Sequence, residues 1–126
     1  MRPVLLVALG GALGSGLRYL TAVVAARWLG VEFPWGTLVV NLVGSFLIGL
    51  VNELAGDALT LSPEARLFLA TGVMGGLTTY SAFSYETVRL MEAQAWTTAW
   101  INVIVTTAAC VGLCVVGIAA ARYIVR

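Results

Sequence analysis

The sequence predicts an all-α integral membrane protein with four transmembrane helices, the third of them broken. Composition is the first observation behind this prediction, because 60% of the 126 residues are hydrophobic and only 10% are charged. A bilayer span needs about 20 apolar residues, and four apolar stretches take up nearly the whole chain. The other observation is a glycine- and threonine-rich interruption in the third stretch. We therefore expect a single four-helix domain over residues 1–126, multi-pass in the cell membrane.

The first span is predicted over residues 3–28 and contains a cluster of glycines. Gly10 and Gly14 have the small-residue spacing that lets membrane helices approach closely, so helix packing is one explanation for the cluster. Arg18 lies near the middle of this span. A charge at that depth is costly unless it meets water or a partner, so we expect Arg18 to border an aqueous vestibule.

The second span is predicted over residues 36–55 and carries a polar stripe. Thr37, Asn41, Gly44 and Ser45 recur at three- and four-residue steps on a helix otherwise rich in leucine and valine. An asparagine inside a membrane needs a hydrogen-bond partner. The Asn41 amide either links two helices or lines a permeation path, and the sequence leaves both open.

The third span is predicted over residues 63–93, longer than one straight crossing needs, with a break near 75–79. Two glycines and two threonines occupy this interruption. Glycine tolerates unusual backbone angles, and threonine hydroxyls satisfy backbone groups that a break leaves over. Non-helical backbone at membrane depth is tolerated where it faces protein or a watery cavity, so this break is where we expect the functional chemistry.

The part of the third span after the break combines aromatic and polar side chains. Tyr80, Phe83 and Glu86 follow one another at three-residue spacing, which places them on one flank of a helix. Ser81 lies beside them. Glu86 is the one deeply placed acid of the predicted spans.

The last span is predicted over residues 96–123. Asn102, Thr106, Cys110 and Cys114 fall at successive four-residue steps and form a weakly polar line along this helix. We interpret the two cysteines as small buried side chains rather than a disulfide or a zinc site. The line either serves helix packing or offers donors to a passing anion.

Charged residues restrict both the partners and the orientation of the chain. The net charge is +1 without lysine or histidine, so no basic tract for nucleic acid is predicted. Because both termini of a four-span protein share one side, the arginines divide four against two between the two sides. This weak bias favours cytoplasmic termini and also allows insertion both ways. The larger group is Arg2, Arg66, Arg122 and Arg126, and the smaller is Arg27 and Arg89.

Three motifs together resemble the Fluc fluoride channels, also called the CrcB type. They are GGALGSGLRY at 10–19, GTLVVNLVGSF at 36–46 and GGLTTYSAFS at 75–84, the last being similar to the family's broken third helix. The resemblance implies a passive, fluoride-selective channel that exports fluoride and lowers its cytoplasmic level. It also implies an antiparallel, dual-topology homodimer in the bilayer, with two pores and a structural sodium ion at the interface.

The resemblance also assigns roles to individual positions. The sodium ion would be held by the backbone carbonyls of Gly75 and Thr78 in each subunit, and Arg18 would raise the anion concentration at a vestibule. Two aromatic rings would meet fluoride with their edges, for which Phe83 matches while Tyr80 replaces the usual phenylalanine. The implied fluoride pore comprises Asn41, Tyr80, Ser81, Phe83, Glu86, Thr106 and Cys110.

Two other classes of protein share parts of this pattern. A small proton-coupled multidrug exporter also has four spans and dual topology, but it needs a carboxylate in its first span, where this chain has Arg18. A non-transporting scaffold would use the small-residue packing faces, but it leaves the polar residues within the spans unexplained. The sequence offers no nucleophile and base at a plausible spacing, so we do not expect an enzyme.

Overall fold

A computed structural model describes residues 1–56 and 60–126 of the chain. All regular structure in these ranges is helical, which confirms the predicted all-helical class, and three of the helices are long and apolar enough to cross a membrane. These three are α1, α2 and α6. The helices are α1 (Arg2–Leu29), α2 (Trp35–Gly56), α3 (Pro63–Arg66), a π-helix (Leu67–Met74), α4 (Gly75–Leu77), α5 (Tyr80–Glu92) and α6 (Trp96–Ile124).

The third segment, residues 63–92, is built from several helical pieces and bends between them. Its start is capped by Ser62, whose hydroxyl oxygen accepts a hydrogen bond from the Ala65 N–H at 3.2 Å. The helix ends at Leu77, after which Thr78 and Thr79 have extended backbone angles with ψ of 154° and 114°. Thr79 then caps α5, because its hydroxyl oxygen accepts from the Ala82 N–H at 3.1 Å.

Glycines allow α1 to lie directly against the third segment. Gly10 and Gly14 are buried, and a Cβ atom added to Gly10 would come within 2.9 Å of the Gly72 Cα. A Cβ added to Gly14 would collide with the Val73 carbonyl oxygen. The predicted close approach through this glycine pair is therefore present, and any larger side chain would push the two helices apart.

A second extensive interface joins α2 to α6, again through glycines. A Cβ on Gly49 would collide with the Cys114 carbonyl oxygen, and one on Gly117 would collide with the Phe46 carbonyl oxygen. This contact fixes the line of polar side chains on α6 beside the polar stripe of α2. A buried cluster of Val40, Val73, Met74 and Leu77 then holds the third segment against α2.

The outward faces of the bundle are apolar. Many large hydrophobic side chains of α1 and α6 are exposed, among them Leu9, Leu13, Ile104 and Val111. A soluble monomer rarely exposes so much contiguous apolar surface, whereas lipid tails cover it without cost. Together with the three long apolar helices, these faces identify a multi-pass membrane protein.

Candidate functional site

A cavity of about 440 Å³ lies between α2, the bend of the third segment and α6, and we call it the central cavity. It collects polar groups from three elements that are distant in the sequence. Seven of the ten residues to which the resemblance assigns roles line it, and each predicted span after the first contributes at least one. They are Asn41, Gly75, Thr78, Tyr80, Phe83, Thr106 and Cys110.

Asn41 holds the bend through both ends of its side-chain amide. Its Oδ1 accepts from the Thr79 backbone N–H at 2.8 Å, and its Nδ2 donates to the Thr79 carbonyl oxygen at 3.2 Å. The side chain thereby takes the place of the helical partners that extended backbone at Thr79 gives up. Nδ2 carries two hydrogens, and only one of them is used in the bond to Thr79. Since Asn41 lines the central cavity, the second hydrogen is available as a donor there. Asn41 therefore has the helix-linking role and also lies at the cavity wall.

The bend leaves the carbonyl oxygens of residues 75–78 without their helical donors within the described part of the chain, among them the two to which the resemblance assigns sodium. In a continuous helix the Gly75 carbonyl would accept from Thr79 N–H and the Thr78 carbonyl from Ala82 N–H. Here those two donors bond to side-chain oxygens of Asn41 and Thr79 instead. Within residues 1–56 and 60–126, no other backbone N–H donates to the Gly75 or the Thr78 carbonyl. Gly75 is exposed, and a Cβ added there would meet nothing within 4 Å, so its backbone is accessible from outside the subunit.

Two aromatic rings lie together at the cavity. The ring centroids of Tyr80 and Phe83 are 5.5 Å apart with an interplanar angle of 51°. Phe83 is only 8% exposed, whereas Tyr80 is 80% exposed and extends from the subunit surface. The positive edge of an aromatic ring attracts negative charge. The Phe83 ring is thus held in the interior, whereas the Tyr80 ring is exposed at the surface.

A buried hydrogen-bond chain connects α6 to α5 behind the aromatic pair. The Thr106 hydroxyl donates to Asn102 Oδ1 at 3.1 Å, and Asn102 Nδ2 donates to the Thr87 hydroxyl oxygen at 3.0 Å. Thr87 in turn donates to the Phe83 carbonyl oxygen at 2.7 Å. The Thr106 hydrogen is already used in this chain, so Thr106 presents an oxygen to the central cavity. Among these α6 residues, Cys110 is left to offer the cavity a weak S–H donor.

A second cavity of about 370 Å³, which we call the end cavity, lies where the connection between α1 and α2 meets α5. Glu86 lies in its wall, and its Oε1 accepts from the Thr37 hydroxyl at 2.8 Å. The other oxygen, Oε2, is buried and lacks a partner within the described part of the chain. Glu32 and Arg89 are the other charged residues of the wall. Glu86 is thus separated from the central cavity that holds Phe83.

The remaining predicted residues lie outside both cavities. Ser81 is exposed, and its hydroxyl lies 3.2 Å from that of Thr79, at the start of α5. Arg18 is half-buried on α1 and contributes to the wall of neither cavity. Cys114 packs against Gly49 in the interface between α2 and α6. Within the described chain, Arg18 therefore lies apart from the other polar residues, whereas Ser81 contacts Thr79, which lines the central cavity.

Two residues that matter to the site were missed by sequence reasoning. Thr87 is 6% exposed and connects the α6 polar line to Phe83. The only signal for it is a hydroxyl one turn after Phe83, and a threonine there usually bonds only its own helix backbone. Met74 is buried and also lines the central cavity. Its apolar side chain gives no sequence signal that separates it from the core.

Comparison with known proteins finds one family whose sequence pattern matches most of the chain. The family is described as CrcB-like protein, Camphor Resistance (CrcB), and the match covers residues 5–118. It includes α2 and the third segment in full and most of α1 and α6.

Individual relatives have the same pattern over similar lengths. A protein of Agrobacterium fabrum named fluoride-specific ion channel FluC is 59% identical over 90 residues, covering 71% of this chain and 72% of its own. Proteins with that same name from Sorangium cellulosum and Chelativorans sp. are 44% and 45% identical, over 119 and 124 residues. The first alignment covers 94% of both chains, and the second covers 98% of this chain and 99% of the relative.

Proposed function

This chain belongs to the CrcB-like family, and from that membership we propose that it is a channel that conducts fluoride selectively and passively across the cell membrane. Its direction in a cell would be export, down the electrochemical gradient of fluoride that entered as the neutral acid. The observation that carries the proposal is the central cavity, which gathers Asn41, Tyr80, Phe83, Thr106 and Cys110 at one place between three spans. A channel needs such a path and no catalytic group, in keeping with a family that is not enzymatic.

The chemistry of the central cavity suits a small, strongly hydrated anion. Such an ion must exchange water for other donors, and here the leftover Asn41 N–H and the Cys110 S–H are available. The edges of the Phe83 and Tyr80 rings add weak positive potential. Each contact is modest, and conduction requires sites weak enough for the ion to leave. The path therefore favours passage over tight binding.

The same bend supports the proposal of a structural sodium ion. Sodium is a hard cation that prefers oxygen ligands, and the Gly75 and Thr78 carbonyls have lost their helical hydrogen bonds. These two residues fit the ion because their oxygens are neutral, close in sequence and next to the exposed Gly75 backbone. Two such oxygens are too few for a complete shell, and a second copy of the chain would supply two more.

We further propose that this second copy is antiparallel. The exposed Gly75 and Tyr80 would lie at its interface, and Arg18 would meet the pathway across that interface rather than within one subunit. The weak arginine bias of the sequence allows the two insertion directions that such a dimer needs. Each homodimer would then contain two equivalent fluoride pathways.

The multidrug exporter is the weaker alternative. It needs a carboxylate in the first span, but α1 has none. Glu86, the half-buried acid of the third segment, is bonded to Thr37 and lies in the end cavity rather than the central one. This arrangement does not provide the central proton-binding acid on which such exporters depend.

The proposed function is tested by ion release from liposomes that contain the purified protein. A potassium ionophore balances the charge, and fluoride- and chloride-selective electrodes follow the two anions. We expect rapid fluoride release and no chloride release above that of empty liposomes. Equal release of both anions, or release of neither by verified dimer, would contradict a fluoride-selective channel.

A further inference from the structure

Arg89 lies between two carboxylates on one face of α5. Glu86, Arg89 and Glu92 follow at three-residue spacing, so each acid is one turn away from the arginine. Arg89 Nη1 donates to Glu92 Oε2 at 2.8 Å. Glu86 Oε2 is buried and has no hydrogen-bond partner among the residues that the structure describes. The arginine is therefore paired with the acid that is already open to water.

The ion pair between Arg89 and Glu92 is weak enough for Arg89 to leave it for another partner. The side chains of Arg89 and Glu92 are 63% and 59% exposed, and ion pairs with such exposure are weak because water solvates both charges. A buried carboxylate oxygen without a donor is much less favourable. Arg89 and Glu86 also line the same end cavity, so the space into which the guanidinium would turn from Glu92 is the one that Glu86 borders.

We propose that Arg89 exchanges between Glu92 and Glu86 and thereby sets the charge that an anion meets in the end cavity. This inference rests on the proposed fluoride conduction. With Arg89 on Glu86, the buried carboxylate is neutralised, and the remaining guanidinium N–H groups can donate to a small anion. With Arg89 on Glu92, the cavity presents an unpaired carboxylate, which repels anions. Arg89 is thus a positioning residue that acts through Glu86.

One other charged residue faces the end cavity. Glu32, in the connection between α1 and α2, is exposed and lines the same wall. It adds negative charge at the cavity mouth but lies on a different element from Arg89. It therefore provides a control for the general effect of removing one negative charge.

The exchange predicts opposite effects from the two halves of one ion pair. Arg89→Gln leaves Glu86 without a cation, so fluoride release from liposomes should become slower. Glu92→Gln removes the competing acid, so Arg89 pairs with Glu86 instead, and fluoride release should become faster. Each change should be up to about fivefold, the range over which an exposed ion pair shifts an equilibrium. A merely structural ion pair predicts the same direction for both variants, because each variant breaks the same contact.

Three further variants separate the exchange from a general charge effect. Arg89→Lys keeps a cation and should restore most of the release lost in Arg89→Gln. The double variant Arg89→Gln/Glu92→Gln should behave as Arg89→Gln alone, because Glu92 acts only by holding Arg89. Glu32→Gln should give less acceleration than Glu92→Gln. If Glu92→Gln accelerates fluoride release and the acceleration persists in the double variant, the exchange is overturned. It is also overturned if the two single variants change the release rate in the same direction.

A structural measurement tests the exchange independently of flux. In a crystal structure of the Glu92→Gln protein, Arg89 should donate to Glu86 Oε2. A guanidinium that stays in solvent would overturn the proposal even if the flux changed. Absence of fluoride release from the wild-type dimer would instead contradict the proposed function. Normal wild-type release with unchanged variants would contradict the exchange alone.

Discussion

The amide of Asn41 forms a pair of hydrogen bonds with the backbone of Thr79, one accepted from the N–H at 2.8 Å and one donated to the carbonyl at 3.2 Å. The two residues are 38 positions apart, and this contact stabilises extended backbone between α4 and α5. It also leaves the Gly75 carbonyl without its helical donor. One side chain thereby connects the shape of the bend, the wall of the central cavity and the proposed cation ligands.

We expect Asn41→Asp to damage both the bend and conduction. A carboxylate cannot donate to the Thr79 carbonyl, and its charge would repel an anion in the cavity. Loss of one partner from such a partly buried pair should cost about 1 kcal/mol of folding free energy, and fluoride release should fall at least about tenfold. Asn52→Asp makes the same change on α2 away from both cavities, where Asn52 bonds to Arg66 at 3.0 Å. Equal release from Asn41→Asp and wild type would remove Asn41 from the pathway.

Phe83→Ile should reduce fluoride release while the dimer remains folded. The substitution keeps an apolar side chain but removes the aromatic ring that lines the central cavity. We expect at least about a tenfold loss of rate, equivalent to about 1.4 kcal/mol of barrier. Phe46→Ile, on α2 outside both cavities, is the matched control. If the two variants lose the same amount, the ring at position 83 has no special role in passage.

Tyr80→Phe should preserve selective fluoride release. The ring of Tyr80 remains beside Phe83, and within the described residues its hydroxyl forms no hydrogen bond that the change would break. We expect the rate to change by less than about threefold, because the aromatic ring is kept and only the hydroxyl is removed. Tyr85→Phe, also on α5 and exposed, serves as control. Loss of selectivity in Tyr80→Phe would show that the hydroxyl itself takes part in choosing the ion.

Gly14→Leu should prevent correct packing of α1 on the third segment. Even a single added carbon would collide with the Val73 carbonyl oxygen, and overpacking of this kind costs about 1–3 kcal/mol or more. Gly16→Leu is the matched control, because a Cβ there meets nothing within 4 Å. Thermal unfolding in detergent should reveal a lower midpoint for the first variant only. Equal midpoints would mean that α1 does not lie as closely as described.

Removal of sodium should weaken the dimer and its conductance. If the Gly75 and Thr78 carbonyls bind sodium, replacing it with N-methyl-D-glucamine removes a ligand that stabilises the folded assembly by mass action. The subunit exchange rate should rise and fluoride release should fall, and both should recover when sodium is returned. Potassium at the same ionic strength controls for salt. Identical behaviour in all three cations would contradict a structural sodium site.

Local patterns in the sequence were sufficient to predict the helices that face lipid. The apolar lengths of α1, α2 and α6 follow from composition, and Gly10 with Gly14 indicated a close contact because their spacing places them on one helix face. The glycine and threonine run likewise indicated where helical geometry would change. Such signals are local, because they depend on neighbours within one or two turns.

The hydrogen-bond partners of the polar side chains could not be predicted from local sequence patterns. Asn41 could have bonded any facing group, and only the packing of α2 against the bend selects Thr79. Glu86 shares a helical flank with Phe83, yet its bond to Thr37, 49 residues away, places it in a different cavity. Likewise, Thr87 acquires its role from Asn102 on α6. These assignments depend on how separate helices meet, which spacing along one helix does not determine.

The central claim, that this chain forms a fluoride-selective conducting path, is tested most directly by the reversal potential of the purified dimer in a planar bilayer. Both sides contain equal sodium and equal total anion, but one side holds mostly fluoride with some chloride and the other mostly chloride with some fluoride. A selective channel carries current that reverses close to the fluoride equilibrium potential. A reversal potential near zero would mean that chloride permeates equally, and a silent bilayer with verified protein would contradict conduction itself.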